Sequence, residues 1–337
     1  MNFEKDLRKQ IIQLLNDGKI KFNNQDSTHG LLMSFLNVVN RTIKPIPRKV
    51  FLSDNIEKII RQNKLDRKYI KALLNFKLAF EKGIDMNGHL SANIYYSDMS
   101  VKDKRNSIYK NSRDYLLDDW GIYHIHLNEK EAKNEQEMRR NKNTKDKGNR
   151  SEYLLFVKII GNEIYFIDIY NHNTKNVFSN QELLETLDRN WHFILEKYKD
   201  PGLIAVNRLT NKEIGEARKK GSFMPYTINN KVYSPIGGGL NSAGTNIFHT
   251  DNADNILDDM GLIEEDIKKN ENIHNEIEFI TGIKGYNKNL EFKFNIDARG
   301  YVVIEVNTGF AILYSHKENF FETSYCIIDD PKYNKDI

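Results

Sequence analysis

Two runs of β-branched and aromatic residues, 153–160 and 163–170, are separated only by Gly161 and Asn162. Such runs are typical of strands, and a Gly-Asn pair tolerates the positive φ angles of a two-residue turn. The pattern predicts an antiparallel β-hairpin. Because the helix predicted behind it, over about residues 183–198, carries one apolar stripe, we expect that helix to pack on the hairpin.

A further strand is predicted just before the hairpin, in the sequence Asp-Trp-Gly-Ile-Tyr-His-Ile-His-Leu at residues 119–127. Side chains alternate across a strand, so His124 and His126 project from the same face. The opposite face presents an apolar row that would pack on a core, formed by Tyr123, Ile125 and Leu127. Two imidazoles on one face make this strand the first candidate for a functional site.

The same alternation places Asp168, Tyr170 and His172 on one face of the second hairpin strand, with His172 at the strand end. Another histidine, His89, lies in the loop-like segment Gly-His-Leu-Ser at residues 88–91. A histidine in a polar loop can act as a ligand or as a base. The predicted catalytic residues are His124, His126, His172 and His89.

The length of 337 residues exceeds that of a typical single domain. We predict three regions: mainly helical residues 1–107, residues 108–200 with the strand, hairpin and helix, and residues 201–337 with a glycine-rich loop, helices and a terminal β-meander. The fold class is α+β, with a helical N-terminal part, a central antiparallel sheet with a packed helix, and a C-terminal α/β part that ends in a small antiparallel sheet. Ser179 and Glu182 have the spacing of a capping box, which predicts that the packed helix begins at Ser179.

Composition excludes several classes of protein. The single cysteine, Cys326, excludes an internal disulfide and a zinc site built from several cysteines. The charged start lacks the apolar region of a signal peptide, and no window approaches the ~18 apolar residues of a membrane helix. We therefore expect a cytoplasmic protein without a membrane partner.

The charge of the chain is nearly balanced, since 50 basic and 47 acidic side chains give a net charge of +3. Affinity for nucleic acid would therefore require a local basic surface. Residues 128–150 are rich in lysine and arginine and nearly devoid of apolar residues. This composition fits a phosphate-attracting flap, a solvated hairpin tip or a charged helix. The arginines predicted to bind substrate are Arg139, Arg140 and Arg150.

A glycine-rich loop is predicted at residues 233–245. Glycines let backbone amides approach and hold an anion, although this loop lacks the Lys-Ser/Thr ending of a P-loop. The loop is predicted either to bind phosphate or to be a structural or substrate-lining loop. Its candidate contact residues are Gly237, Gly238 and Gly239.

Four of these segments together resemble a family of bacterial and mobile-element proteins whose activity is uncharacterised. They are residues 88–91, residues 119–127, the Leu-Leu-Phe hairpin that ends in His172, and the triple-glycine loop. The resemblance spans about residues 45–255 and implies no particular reaction. Because the family includes proteins of mobile elements, the resemblance implies a role in phage defence or growth inhibition. The strand and hairpin are also loosely similar in topology to the compact ribonuclease toxins of the RelE type. Those toxins are much shorter and lack the His-x-His strand, so no residue role is transferred from them.

The first functional interpretation is phosphodiester cleavage by a nuclease. Imidazoles titrate near neutral pH, so one can take a proton from an attacking hydroxyl while another donates a proton to the leaving oxygen. RNA is favoured over DNA because its 2′-hydroxyl is an internal nucleophile, and such a reaction requires no cofactor. Either Tyr123 or Tyr170 is predicted to stack a base, although aromatic residues in strands usually belong to the core. An inhibitory protein partner is a further expectation for a toxin of this kind.

Two alternatives stay open. His124, His126 and Asp168 could together bind a divalent metal such as zinc, and a water in the open coordination position would make the site a hydrolase. In the other alternative the histidines are hydrogen-bonded sheet residues, and the chain is a non-catalytic module that binds nucleic acid or a protein. The sequence predicts no oligomeric state.

Overall fold

A computed structural model gives the structure of the chain and describes residues 1–95, 114–133, 135–138, 151–203, 208–220, 222, 225–235, 239, 245–285, 289–317 and 320–328. The helices are α1 (Phe3–Asp17), α2 (Thr28–Arg41), α3 (Asp54–Arg61), α4 (Arg67–Lys82), α5 (Tyr115–Trp120), α6 (Glu135–Met138), α7 (Glu182–Trp191), α8 (Phe193–Glu196), α9 (Asn211–Lys219), α10 (Ile247–Lys269) and α11 (Ile273–Thr281). The strands are β1 (Lys49–Leu52), β2 (Ile122–His126), β3 (Tyr153–Ile160), β4 (Glu163–Asn171), β5 (Tyr226–Ile228), β6 (Lys231–Tyr233), β7 (Phe292–Asp297), β8 (Gly300–Glu305), β9 (Phe310–Lys317) and β10 (Phe320–Ile327).

The predicted α+β class is confirmed. Residues 1–35 and 251–337 form one compact unit, and residues 36–250 form a second. The three predicted regions follow chain order, whereas the first unit contains both ends of the chain. Among the described residues, no helix has the length and apolar character needed to cross a membrane.

The unit of residues 36–250 is built on a four-stranded sheet in the order β1-β4-β3-β2. The hairpin prediction is confirmed: β3 and β4 are antiparallel, and Gly161 in their turn has a φ of 53°. The sheet is mixed, however, because β1 joins β4 in parallel. The four-residue β1 follows a proline-containing segment and shows no clear alternation, which explains why the sequence does not predict it.

Each face of this sheet is buried by a different set of helices. On one face Ile125, Leu155 and Phe166 belong to a buried apolar cluster that includes Phe76 and Phe80 of α4. On the other face Phe156 and Ile167 share a cluster with side chains of α7, namely Leu183, Leu184 and Leu187. The prediction that a helix packs on the hairpin is therefore confirmed.

The start of α7 differs from the predicted capping box. Ser179 lies in a short 3-10 helix, Val177–Ser179, and α7 begins at Glu182 with Gln181 as its N-cap. Asn180 takes over part of the expected function, because its side-chain oxygen accepts a hydrogen bond from the Glu182 amide at 3.2 Å. The short 3-10 turn shifts the helix start relative to the predicted spacing.

The unit of residues 1–35 and 251–337 contains the predicted terminal antiparallel sheet, in the order β10-β9-β8-β7. Helix α1 covers the edge strand β7. The Gln10 side chain donates to the Ile296 carbonyl at 2.7 Å and accepts from the Ile296 amide at 3.1 Å, while Phe3 stacks on Phe294. An edge strand paired in this way presents fewer free amides and carbonyls to other chains.

The glycine that connects α5 to β2 has a left-handed backbone conformation, and this conformation determines where the two elements lie. Gly121 has a φ of 58°, so the chain turns sharply between the helix and the strand. A Cβ at this position would lie 2.6 Å from Nζ of Lys158. That ammonium is buried and donates to the Trp120 carbonyl and, at 3.0 Å, to the Tyr198 hydroxyl, and its burial lowers the pKa of Lys158 to about 7.

Replacing Gly121 by alanine should therefore destabilise the fold by about 2–3 kcal/mol, since it adds backbone strain and displaces a hydrogen-bonded Lys158. Gly161→Ala is the matched control, because Gly161 also has positive φ but nothing lies within 4 Å of its Cβ position. We expect that variant to lose only about 1 kcal/mol. Urea unfolding of both variants measures the difference, and equal losses would contradict the role given to Lys158.

Candidate functional site

Three of the four predicted histidines come together on one face of the central sheet. The ring centroids of His124 and His126 are 6.1 Å apart, and those of His126 and His172 are 5.7 Å apart. The first pair follows from the alternation along β2, and His172 reaches His126 from the end of β4. We call His124, His126 and His172 the histidine cluster.

His124 is oriented by a carboxylate. Its Nδ1 lies 2.5 Å from Oδ2 of Asp114, and both side chains are only 14% exposed. Asp114 is also the N-cap of α5, where its other oxygen accepts from the Leu117 amide at 3.3 Å. With the Nδ1 proton donated to Asp114, the neutral ring carries its lone pair on Nε2.

His126 is buried, and its hydrogen bonding favours the opposite tautomer. The Ser151 amide donates to Nδ1 of His126 at 3.4 Å. A ring that accepts at Nδ1 carries its proton on Nε2 when neutral, and the imidazolium also has a hydrogen there. Neutral His126 therefore carries its proton on Nε2, whereas neutral His124 carries its proton on Nδ1.

His172 follows the last residue of β4 and is partly buried. Its backbone amide donates to the Glu152 carbonyl at 2.7 Å, which extends the pairing of the hairpin by one residue. Its ring lies nearly parallel to that of His126, with an interplanar angle of 20°. This stacking holds the orientation of the His126 ring.

The structure does not bring His89 to the histidine cluster. His89 is 6% exposed and packs on Phe76, with ring centroids 4.6 Å apart. Phe76 belongs to the apolar cluster behind Ile125 and Leu127, on the face opposite to His124 and His126. Burial lowers the pKa of His89 to about 4, so this imidazole is a neutral core residue at pH 7.

Asp168 is separated from His124 by a whole strand. Phe156 lies opposite both residues, so their backbones are about 10 Å apart. The Asp168 carboxylate accepts from Asn55 Nδ2 at 2.7 Å and from the Ile169 amide at 2.8 Å, and burial raises the pKa of Asp168. Within the described ranges, no group of three or more His, Cys, Asp or Glu side chains is arranged to hold a metal ion. The metal set of His124, His126 and Asp168 is therefore not assembled.

The Tyr170 side chain packs on its neighbours in the sheet and is not positioned to stack on a nucleobase. Its ring packs edge-on against Phe156 at 6.0 Å, and its hydroxyl donates to Glu182 at 2.7 Å. Burial is the main reason that the pKa of Tyr170 is raised. The hydroxyl is held as a neutral donor.

Gly239 packs over a buried ion pair instead of lining the histidine cluster. Its φ is 83°, and a Cβ would lie 2.9 Å from Asp119 and 3.0 Å from Arg218. Those two side chains form an ion pair and are only 3% and 2% exposed. Gly239 is thus required for close packing. The other predicted contact residues, Gly237, Gly238, Arg139, Arg140 and Arg150, lie outside the described residues.

A pocket opens beside His124 at the edge strand β2. Its lining combines a guanidinium, the His124–Asp114 pair, two small polar groups and an apolar wall. The lining residues are Arg41, Leu90, Ser91, Asn93, Ile94, Asp114, Leu117, Tyr123 and His124.

Asp114 and Arg41 line the pocket but are not among the site residues predicted from the sequence. An acidic residue just before the run Tyr-Leu-Leu is a helix N-cap signal, and that signal could have identified Asp114. No local pattern marks Arg41, because it reaches the pocket from the end of α2, far from β2 in the sequence.

Comparison with known proteins adds no relative. No protein-family model, curated protein or solved structure matches the chain. The resemblance given by the sequence motifs therefore stays a prediction, and the chemistry of the site has to be inferred from its own side chains.

The burial of His89 makes stability depend on pH. The folded pKa of about 4 lies below the ordinary value of 6.5, so between these values the unfolded chain binds more protons. Lowering the pH from 6.5 to 4 should then remove up to about 3 kcal/mol of the free energy of unfolding, and His89→Gln should abolish this part of the loss. Chemical unfolding at several pH values measures it. His274→Gln, at an exposed position of α11, is the control and should leave the pH dependence unchanged. An unchanged slope in His89→Gln would contradict the buried, neutral state of His89.

Proposed function

We propose that the protein is a ribonuclease that cleaves phosphodiester bonds by histidine acid/base chemistry. The observation that supports it most is the pairing of His124, oriented by Asp114, with His126 at 6.1 Å between ring centroids. His124 offers a lone pair and His126, once protonated, offers an acidic proton, and these are the two functions that phosphodiester transfer requires.

His124 acts as the general base. Its Nε2 removes the proton of the ribose 2′-hydroxyl while the oxygen attacks phosphorus. The Asp114 carboxylate keeps Nδ1 protonated and stabilises the imidazolium that forms, as a buried carboxylate does for other catalytic histidines. Because both side chains are largely buried, the ring keeps this orientation before substrate binds.

His126 acts as the general acid. His126 has to be protonated for this step, and the hydrogen on Nδ1 then replaces the bond that this atom accepts from the Ser151 amide. As the bond between phosphorus and the 5′-oxygen breaks, the Nε2 proton of the imidazolium passes to that oxygen, so the leaving group departs as a neutral hydroxyl. The products are a 2′,3′-cyclic phosphate and a free 5′-hydroxyl. His172 is a positioning residue in this scheme, since its ring stacks on His126.

RNA is the proposed substrate because the general base, His124, needs a hydroxyl within its reach. The 2′-hydroxyl of RNA is such a group and is part of the substrate. The cellular role that fits the resemblance to mobile-element proteins is growth inhibition or phage defence in the cytoplasm. An inhibitory protein that covers the histidine cluster belongs to the same proposal.

The decisive substitutions are His124→Ala and His126→Ala. Each should lower kcat for cleavage of a labelled single-stranded RNA by about 10²–10⁴-fold, which is the usual contribution of a general acid or base. His274→Ala, which changes an exposed histidine on α11, is the control and should keep the full rate. A substrate with hydrogen in place of the scissile 2′-hydroxyl should not be cleaved.

Thermal unfolding of each variant separates chemistry from folding. Loss of cleavage with the melting temperature unchanged to within a few degrees supports the proposal, and His124→Asn serves if the alanine variant is unfolded. Full cleavage by both variants, or cleavage of the 2′-deoxy substrate, would overturn it. Loss of activity in excess chelator, restored by zinc, would favour the metal alternative.

A further inference from the structure

The two edges of the terminal sheet differ in what covers them. Helix α1 covers the edge strand β7, whereas β10 is the edge strand at the opposite end of the order β10-β9-β8-β7. No other strand of the described residues pairs with the outer side of β10. Two of its apolar residues are well exposed, Tyr325 at 41% and Ile327 at 52%. An open edge of this kind is a template for pairing with a strand of another chain.

Alternate residues of β10 direct their backbone amides and carbonyls to this open edge. Just after the strand, the Ile328 amide donates to the Gly309 carbonyl at 2.8 Å and so continues the pairing with β9. Because backbone polar groups alternate in direction along an antiparallel strand, the even-numbered residues of β10 face β9. The Tyr314 carbonyl lies beside Gly300 of β8, so Tyr314 directs its polar groups away from Thr323, the residue opposite it in β10. The residues that face outward are Phe321, Thr323, Tyr325 and Ile327.

β10 lacks the features that usually keep an edge strand from pairing. Those features are short length, lysine or proline within the strand, and a β-bulge. β10 has 8 residues, Phe-Phe-Glu-Thr-Ser-Tyr-Cys-Ile, and it pairs with β9 without a shift of register. The only charged side chain in this sequence is that of Glu322. An edge of this length and composition is suited to the addition of another strand.

We propose that β10 pairs with β10 of a second copy of the chain, antiparallel and about a two-fold axis that passes between the two Ser324 residues. Two-fold pairing makes the strand its own complement and joins the two four-stranded sheets into one continuous sheet. Since Ser324 faces β9 with its backbone groups, the two Ser324 residues form a non-hydrogen-bonded pair, with their Cα atoms ~4.5 Å apart.

Backbone hydrogen bonding favours this position of the axis. With the axis at Ser324, Thr323 of one copy lies opposite Tyr325 of the other. Phe321 lies opposite Ile327 in the same way, so every outward-facing residue exchanges hydrogen bonds with the second copy. An axis at Thr323 would instead leave Ile327 beyond the end of the second copy's strand.

The side chains favour the same register. Residues directly opposite each other in an antiparallel pair lie on the same face, so the exposed Ile327 packs against Phe321 of the second copy. Glu322 lies opposite Cys326, and the two Glu322 carboxylates do not meet. An axis at Glu322 would place these carboxylates directly opposite each other, which destabilises a strand pair.

Cross-linking by a disulfide tests the register directly. Ser324→Cys is made together with Cys326→Ser, so that the chain carries a single thiol. The spacing of a non-hydrogen-bonded pair allows a disulfide, so mild oxidation should convert most of this variant to a covalent dimer. Ser222→Cys in the same background is the matched control, because Ser222 is exposed and lies in the unit of residues 36–250. The unmodified chain should not cross-link, since Cys326 lies opposite Glu322.

Sedimentation velocity of the full chain, from about 1 to 100 μM, measures the association itself. Thr323→Pro removes an outward-facing amide and costs no hydrogen bond to β9. The two-fold axis makes this loss occur twice, so the Kd of the dimer should rise by about 10–100-fold. Thr323→Val keeps the amide and the branched side chain, and we expect it to leave the Kd unchanged.

The two experiments together decide the proposal. A dimer that is weakened by Thr323→Pro and cross-linked through Ser324→Cys supports it. A chain that stays monomeric over the whole concentration range, a dimer that Thr323→Pro leaves unchanged, or equal cross-linking of the Ser222→Cys control would overturn it. Growth beyond a dimer would also overturn it, because a two-fold interface closes. If Thr323→Pro does not fold, the cross-linking result decides, since Ser324→Cys keeps every backbone hydrogen bond.

Discussion

The contact between Asp114 and Nδ1 of His124 links the fold of the central unit to its candidate chemistry. The carboxylate that orients the imidazole also caps α5, so one residue fixes both the start of a helix and the tautomer of a histidine. This is possible because Gly121 turns the chain between α5 and β2 and so returns the helix start to the middle of the strand. The buried Lys158 side chain stabilises that turn by donating a hydrogen bond to the Trp120 carbonyl. The geometry of the ring therefore depends on contacts that lie outside the pocket.

The central sheet holds its side chains rigidly and separates those of one face from those of the other. Since both faces are buried, a side chain on either side has a defined neighbour and little freedom to move. Side-chain alternation then assigns His124 and His126 to one face, and the opposite face holds the apolar row that includes Ile125. His89 shows what happens to a histidine on the apolar side of the sheet. It lies among apolar side chains, where charging the ring is unfavourable, and it stays neutral.

Much of this arrangement could be predicted from the sequence, because strand alternation and turn chemistry are local. The β3–β4 hairpin and the shared face of His124 and His126 follow from the alternation and the turn signal within one hairpin or one strand. The approach of His172 to His126 also requires β2 to pair with β3, which no local pattern determines. Contacts between distant segments could not be predicted in this way. The parallel pairing of β1 depends on tertiary packing, and Arg41 reaches the pocket through the direction of α2. The burial of His89 depends on which face of the sheet its loop meets.

Three imidazoles form one group, in which Asp114 fixes the tautomer of His124. Nuclear magnetic resonance of the full chain with nitrogen-15 in its histidine rings tests this most directly. We expect cross-relaxation between the ring protons of His124 and His126 and between those of His126 and His172, with neutral His124 protonated at Nδ1 and neutral His126 at Nε2. Absence of both contacts would show that the three rings do not form one group, and a neutral His124 ring protonated at Nε2 would show that Asp114 does not fix its tautomer.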